Sequence, residues 1–222
     1  MTARSATMVA IAAVCGALVV AVPGGYLPGA ASQDVSIPKA LENPETPRVM
    51  TEGDVDALLQ RVARRLDPEL RAKLAEAVVS ESARAGYDPL FVLALVAVES
   101  SFRPHVSSDR GAYGLMQLKP STFAWIAGRE PDIGDGAAVS EDPVVDVRLA
   151  VRYFRWLENR FHRREEALMA YNAGPGRMRH YKRTGIPASL REYPRRVLHE
   201  YQRFTRLSGG PDARAVVLAR AN

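Results

Sequence analysis

Leu90–Leu118 reads LFVLALVAVESSFRPHVSSDRGAYGLMQL, and the rest of the chain is organised around it. Nine apolar residues, Leu90 to Val98, run without interruption. Asp88-Pro89 stands in front of them, a helix N-cap followed by the proline that a first helical position tolerates. The stretch is therefore predicted to be a buried helix, and Glu99 arrives at its end. A carboxylate is costly to bury in its charged form, so the pKa of Glu99 is expected to rise. A purely structural acid here would need a buried cation, and Arg103 at i+4 is the one in reach. Small and polar residues then lead into Gly111-Ala-Tyr-Gly-Leu-Met-Gln117.

Helical signals extend outward on both sides. Thr51, with Asp54 three residues on, caps a predicted helix through Leu66. Asp67-Pro68 opens a second helix that stops at Gly86, and Asp142-Pro143 repeats the device downstream. After Asp142, Val147, Val151, Phe154, Leu157 and Phe161 fall on one helical face, which makes this a packing helix with Tyr153 and Trp156 as wall. A shorter helix from Arg164 to Tyr171 runs into a break at Asn172-Ala-Gly-Pro-Gly176. A last helix near Leu190 to Arg206 buries Leu190, Tyr193, Val197, Leu198, Tyr201 and Phe204, with Pro194 in its first turns. Strand patterns are scarce, and an all-α domain is the expected fold class.

The ends read differently. Arg4 is the only charge before Asp34, and Met8 to Val22 is continuously apolar. Residues 1–31 are expected to be a secretory signal or an N-terminal membrane anchor through residues 8–22, with Gly29-Ala30-Ala31 available for cleavage. Either form puts the remainder outside the cytoplasmic membrane, in the periplasm or on the membrane's outer face. Residues 32–50, with Pro38, Pro44 and Pro47, read as a tether; 51–207 as the domain; 208–222 as a flexible tail. The single cysteine, Cys15, lies in the apolar run, so disulfide and thiol chemistry are excluded from the domain. A net charge of +5 favours an anionic partner, and export argues against nucleic acid. The four histidines form no metal-ligand spacing, and no phosphate-cradling loop or nucleophile elbow is present. No metal and no cofactor are expected, and a monomer is the expected state.

Three motifs converge: Val98-Glu99-Ser100-Ser101-Phe102, then Gly114-Leu-Met-Gln-Leu118, then Ala170-Tyr-Asn-Ala-Gly-Pro-Gly176. In this order and spacing they resemble the soluble lytic transglycosylases of bacterial cell walls, whose catalytic domain is related to goose-type lysozyme. The likeness covers about Asp67 to Arg206. It implies a lysozyme-like helical domain with a substrate groove, acting on peptidoglycan between N-acetylmuramic acid and N-acetylglucosamine. It further implies Glu99 as the sole acid and base, with 1,6-anhydro-muramoyl ends as product. By the same resemblance Ser108 bonds the substrate's N-acetyl group, Gln117 and Asn172 line the groove, Met116 forms an apolar wall, and the Tyr171 hydroxyl orients the acid. Gly111 and Gly114 are expected to let backbone approach the sugar.

Chemistry on the residues agrees with such a site. Cleaving a glycosidic bond needs a proton for the leaving oxygen, which an acid with a pKa lifted toward about 6–7 supplies. Most glycosidases add a second carboxylate, for which Asp109 is the nearest candidate. Duller roles exist: core for Tyr171, a cap for Asn172, gap filling for Met116, a turn for Ser108. The sequence departs from the family pattern at Asp109 (often proline), at Asp146 (often asparagine) and around Ile186 to Pro194. Two alternatives remain open, a muramidase that uses water and a wall-binding module without catalysis.

Overall fold

The computed structural model describes residues 50–133 and 142–209. The expected signal or anchor, nearly all of the tether and the tail beyond residue 209 lie outside these residues. Among the described residues eight α-helices follow one another: α1 (Glu52–Val62), α2 (Pro68–Ala85), α3 (Pro89–Ser100), α4 (Pro120–Ala127), α5 (Pro143–Phe161), α6 (Arg164–Ala173), α7 (Pro175–Thr184) and α8 (Glu192–Leu207). Short 3-10 turns occupy Pro131–Ile133 and Ala188–Arg191. Among the described residues, extended pairing is limited to isolated bridges joining Tyr113 to Ser107 and to Leu118.

The starts follow from local chemistry. The Thr51 hydroxyl accepts from the Asp54 amide while the Asp54 carboxylate accepts from the Thr51 amide, a reciprocal cap. Asp67, Asp88 and Asp142 each accept from amides in the first turn that follows them, with proline at the first helical position. α1 ends at Val62, short of the expected Leu66, because the chain turns tightly from Ala63 and buries Leu66 from outside the helix. α4 and α7 were not expected from periodicity. Each is short and begins at a proline, and the break at Gly174 is a corner between α6 and α7 rather than the end of helical structure.

α3 is the axis of the core. Every residue from Leu90 to Val96 is at most 2% exposed. Leu, Val and Phe side chains so placed contribute about 1.5–3 kcal/mol each. α8 and α2 pack against α3, and α5 packs along α2. Phe91 meets Tyr87 and Phe154 in a three-ring cluster, and the Tyr201 hydroxyl of α8 donates to Asp88 at the head of α3. All five residues of the predicted α5 stripe are buried. This packing leaves α3 one free end, and Glu99 lies on its last turn.

Candidate functional site

Four segments meet at that end: the turn and loop from Ser101 to Leu118, the start of α5, and the facing sides of α6 and α8. α3 ends abruptly because Ser101 and Phe102 both take left-handed backbone, φ +52° and +60°. Two successive non-glycine residues there carry strain, on the order of 1–3 kcal/mol each. Burial of Phe102 against Phe204 at 6.2 Å holds the turn in place. Arg103 bonds the Ser100 carbonyl through Nε at 2.9 Å. It therefore serves the end of the helix, and the hydrogen-bond partner of Glu99 lies elsewhere.

That partner is Tyr193 of α8, whose hydroxyl donates to Oε1 of Glu99 in a short contact. Burial raises the Glu99 pKa from 4.5 to about 7. The Tyr193 hydrogen bond and the Arg196 guanidinium pull it down, and the charge of Asp146 pushes it up. A carboxyl group near 7 is about half protonated at neutral pH, which suits it to give and to take a proton. Arg196 also lies over the Tyr193 ring at 5.7 Å, so one arginine stabilises the phenol and acts on the acid.

The loop carrying the second motif is held from within. Gln117 has φ +50°, and its Nε2 donates to the carbonyls of Val106 and Gly114, both at 2.9 Å. Ser108 accepts the Ala112 amide on its hydroxyl at 3.0 Å, closing the turn that Gly111 permits. Ser108 and Gln117 keep partial exposure, and Asn172 is exposed at the end of α6.

Three expectations need correction. Met116 is 0% exposed and belongs to the core, so it forms no wall for a ligand. The Tyr171 hydroxyl donates to the Met116 carbonyl at 2.8 Å, while Tyr193 is the phenol that touches Glu99. The two rings stack, 6.4 Å apart and 18° from parallel, which joins Tyr171 to the phenol that holds the acid. At Gly114 (φ +85°) an added Cβ would lie 2.6 Å from Asp146 Oδ2. The close approach that glycine allows is to this carboxylate, not to a sugar.

Tyr193 and Asp146 are the residues that sequence reasoning missed. Tyr193 fell on the buried stripe of α8, where only its being tyrosine and not phenylalanine hinted at a hydroxyl needing a partner. Asp146 stands in the first turn of α5, where an acid is ordinary dipole chemistry. Asp109, the earlier candidate for a second carboxylate, is exposed on the loop. Among the described residues, no three His, Cys, Asp or Glu side chains cluster to hold a metal ion.

With this geometry in place, comparison with known proteins is informative. The profile of the Transglycosylase SLT domain matches residues 76–187, half of the 222-residue chain. The chain belongs to the SLT-domain transglycosylase family. Among its relatives, an endo-type membrane-bound lytic murein transglycosylase A of Klebsiella pneumoniae is 40% identical over 85 residues, 36% of this chain and 42% of that protein. A soluble lytic murein transglycosylase of Escherichia coli is 32% identical over 91 residues, 40% of this chain and 14% of that protein. The chain thus spans less than half the length of these relatives.

Solved structures give the same fold. The 70 kDa soluble lytic transglycosylase of Escherichia coli aligns with a TM-score of 0.56 at 20% identity, over 73% of this chain and 32% of that one. Its complex with bulgecin A aligns at 0.55 and 19%, over 72% and 31%. The all-α, lysozyme-like SLT architecture expected from the sequence is the one observed. The matched span of the SLT domain contains Glu99, Asp146 and Tyr171, and stops before Tyr193 and Arg196.

Proposed function

We propose that this chain is an exported, cell-wall-associated lytic transglycosylase that cuts peptidoglycan between N-acetylmuramic acid and N-acetylglucosamine. The observation that carries the reading is a single glutamate at the end of a buried helix, lifted to about 7 by burial and hydrogen-bonded to one phenol. Membership of the SLT family supports the substrate class.

In this reading protonated Glu99 gives its proton to the leaving O4 of N-acetylglucosamine as the C1–O4 bond breaks. The acetamido oxygen of the muramoyl residue bonds to C1 and carries the positive charge. The Glu99 carboxylate then takes the proton from the muramoyl 6-hydroxyl while O6 bonds to C1 and the acetamido oxygen leaves. Water is not consumed, and Glu99 ends as it began. One carboxyl serves both half-reactions, so a pKa close to the working pH suits it to each. In the same reading Ser108 bonds the acetamido group, Gln117 and Asn172 line the groove, and Tyr171 acts through Tyr193.

Mass spectrometry of digested sacculi tests the proposal. Anhydro ends one water lighter than reducing ends are expected. Reducing ends alone would assign the chain as a muramidase. Equal wall clearing by wild type and Glu99→Gln would rule out catalysis by Glu99, and binding to sacculi with no clearing by wild type would leave only wall binding.

A further inference from the structure

Asp146 is 3% exposed and sits beneath the loop that carries Gly114 to Gln117. Its Oδ2 accepts the Met116 amide at 2.8 Å, and the Leu115 amide also bonds it. The carboxylate fills the space where a side chain at Gly114 would stand. The Met116 carbonyl, on the next peptide, accepts the Tyr171 hydroxyl at 2.8 Å. Tyr171 stacks on Tyr193, and Tyr193 holds Glu99. A continuous path therefore runs from α5 through both polar groups of Met116 to the acid.

We infer that Asp146 is a positioning residue for the proposed reaction, fixing the Met116 backbone and, through Tyr171 and Tyr193, the place and proton affinity of Glu99. This rests on the transglycosylase reading for the reaction but not for the effect on Glu99, which the fold alone carries. The groups facing Glu99 are Tyr193 and Arg196 from α8, Tyr171 from α6 and Asp146 from α5. Those facing Asp146 are the Leu115 and Met116 amides of the loop. Burial raises Asp146 itself to about 7, so its charge acts on Glu99 across the same pH range. An asparagine in its place would accept the same amides without that charge. The aspartate therefore does more than fill space.

The test uses the full chain and the variant Asp146→Asn, which keeps shape and acceptor and removes the charge. Infrared titration of the Glu99 carboxyl, taken as the difference between each protein and its Glu99→Gln counterpart, reads the midpoint without turnover. The midpoint is expected to fall by at least about half a pH unit, because a negative neighbour favours the protonated acid. The alkaline limb of the rate profile on sacculi should move with it, and KM should stay within about twofold of wild type, since Asp146 touches no substrate. An unmoved midpoint in a variant that melts like wild type overturns the proposal.

Should Asp146→Asn fail to fold, Tyr171→Phe cuts the same path at the Met116 carbonyl. It should lower kcat about tenfold at its own optimum, with KM little changed. An unchanged kcat overturns the path. If wild type releases no fragments at all, the proposed function falls while the infrared arm still decides the role of Asp146.

Discussion

Glu81 and Glu99 are two glutamates on adjacent helices of one core, and their surroundings differ in kind. Glu81 of α2 is 4% exposed and faces Arg152 of α5, whose guanidinium donates to both its oxygens at 2.9 and 3.1 Å. The same arginine holds Glu130 at 2.7 Å and Asp132 at 2.6 Å, and these charges raise its pKa. Glu99 has a phenol as its hydrogen-bond donor, with the charge of Arg196 also acting on it. One carboxylate is fully matched, and the Arg152 that matches it ties α2, α5 and the Pro131–Ile133 turn together. The other is incompletely matched, and that shortfall is what leaves it a proton to exchange near neutral pH. Stability at the first site and reactivity at the second come from the same residue type with opposite provision of charge.

Removing each glutamate's function tests the contrast most sharply at Glu99. Glu99→Gln should lower release of soluble fragments from sacculi by at least ~10³-fold, within the usual range for a general acid and base. Its thermal melting should show an intact fold. Activity within tenfold of wild type would mean that another group moves the proton. At the matched site, Arg152→Met leaves buried Glu81 with only the exposed Arg84 at 3.7 Å and should cost about 3 kcal/mol in urea unfolding. Adding Glu81→Leu should recover most of that loss. A single variant as stable as wild type would show that the network contributes nothing.

A smaller effect reads the incompletely matched site through pH. The folded-state pKa of Glu99 lies above its unfolded value, so the folded protein binds this proton more tightly. The slope of stability with pH is then negative between about 4.5 and about 7, and flattens above. Wild type should lose stability relative to Glu99→Gln across that window, by on the order of 1–3 kcal/mol. The difference should be absent at pH 4 and complete by pH 8. Parallel curves would mean that Glu99 is as well solvated as an exposed acid.

Much of this could be read from the sequence, for physical reasons that also explain the gaps. The Asp-Pro starts and the α5 stripe are local signals, and each gave a helix at its predicted place. The rise expected for Glu99 follows from nine apolar residues placed before one carboxyl. What was not legible depends on contacts between distant segments. Met116 and Gln117 are neighbours in the chain, yet the turn at Gln117 sends one into the core and leaves the other part-exposed. Tyr171 and Tyr193 are both tyrosines near the acid, and only the packing of α6 and α8 decides which hydroxyl reaches it. Asp146 and Gly114 are 32 positions apart in number, and no pattern in either segment announces that one occupies the space left by the other.

The smallest predicted effect bears on what the Tyr193 phenol does for Glu99. Tyr193 donates a hydrogen bond that favours the ionised carboxylate, which opposes the effect of burial. Tyr193→Phe removes the bond and keeps the ring, its stacking on Tyr171 and its place beneath Arg196. The Glu99 pKa should therefore rise above about 7, and the alkaline limb of the rate profile should move to higher pH. The second half-reaction needs the carboxylate as a base, so kcat at pH 6 should fall, by less than about tenfold. Replacing the phenol with a cation should act in the opposite direction: Tyr193→Lys would favour the charged carboxylate, and activity should be lost on the acid-donating step. If Tyr193→Phe left both limbs of the profile in place, the phenol would be packing alone, and the proton affinity of Glu99 would be set by burial and by Asp146.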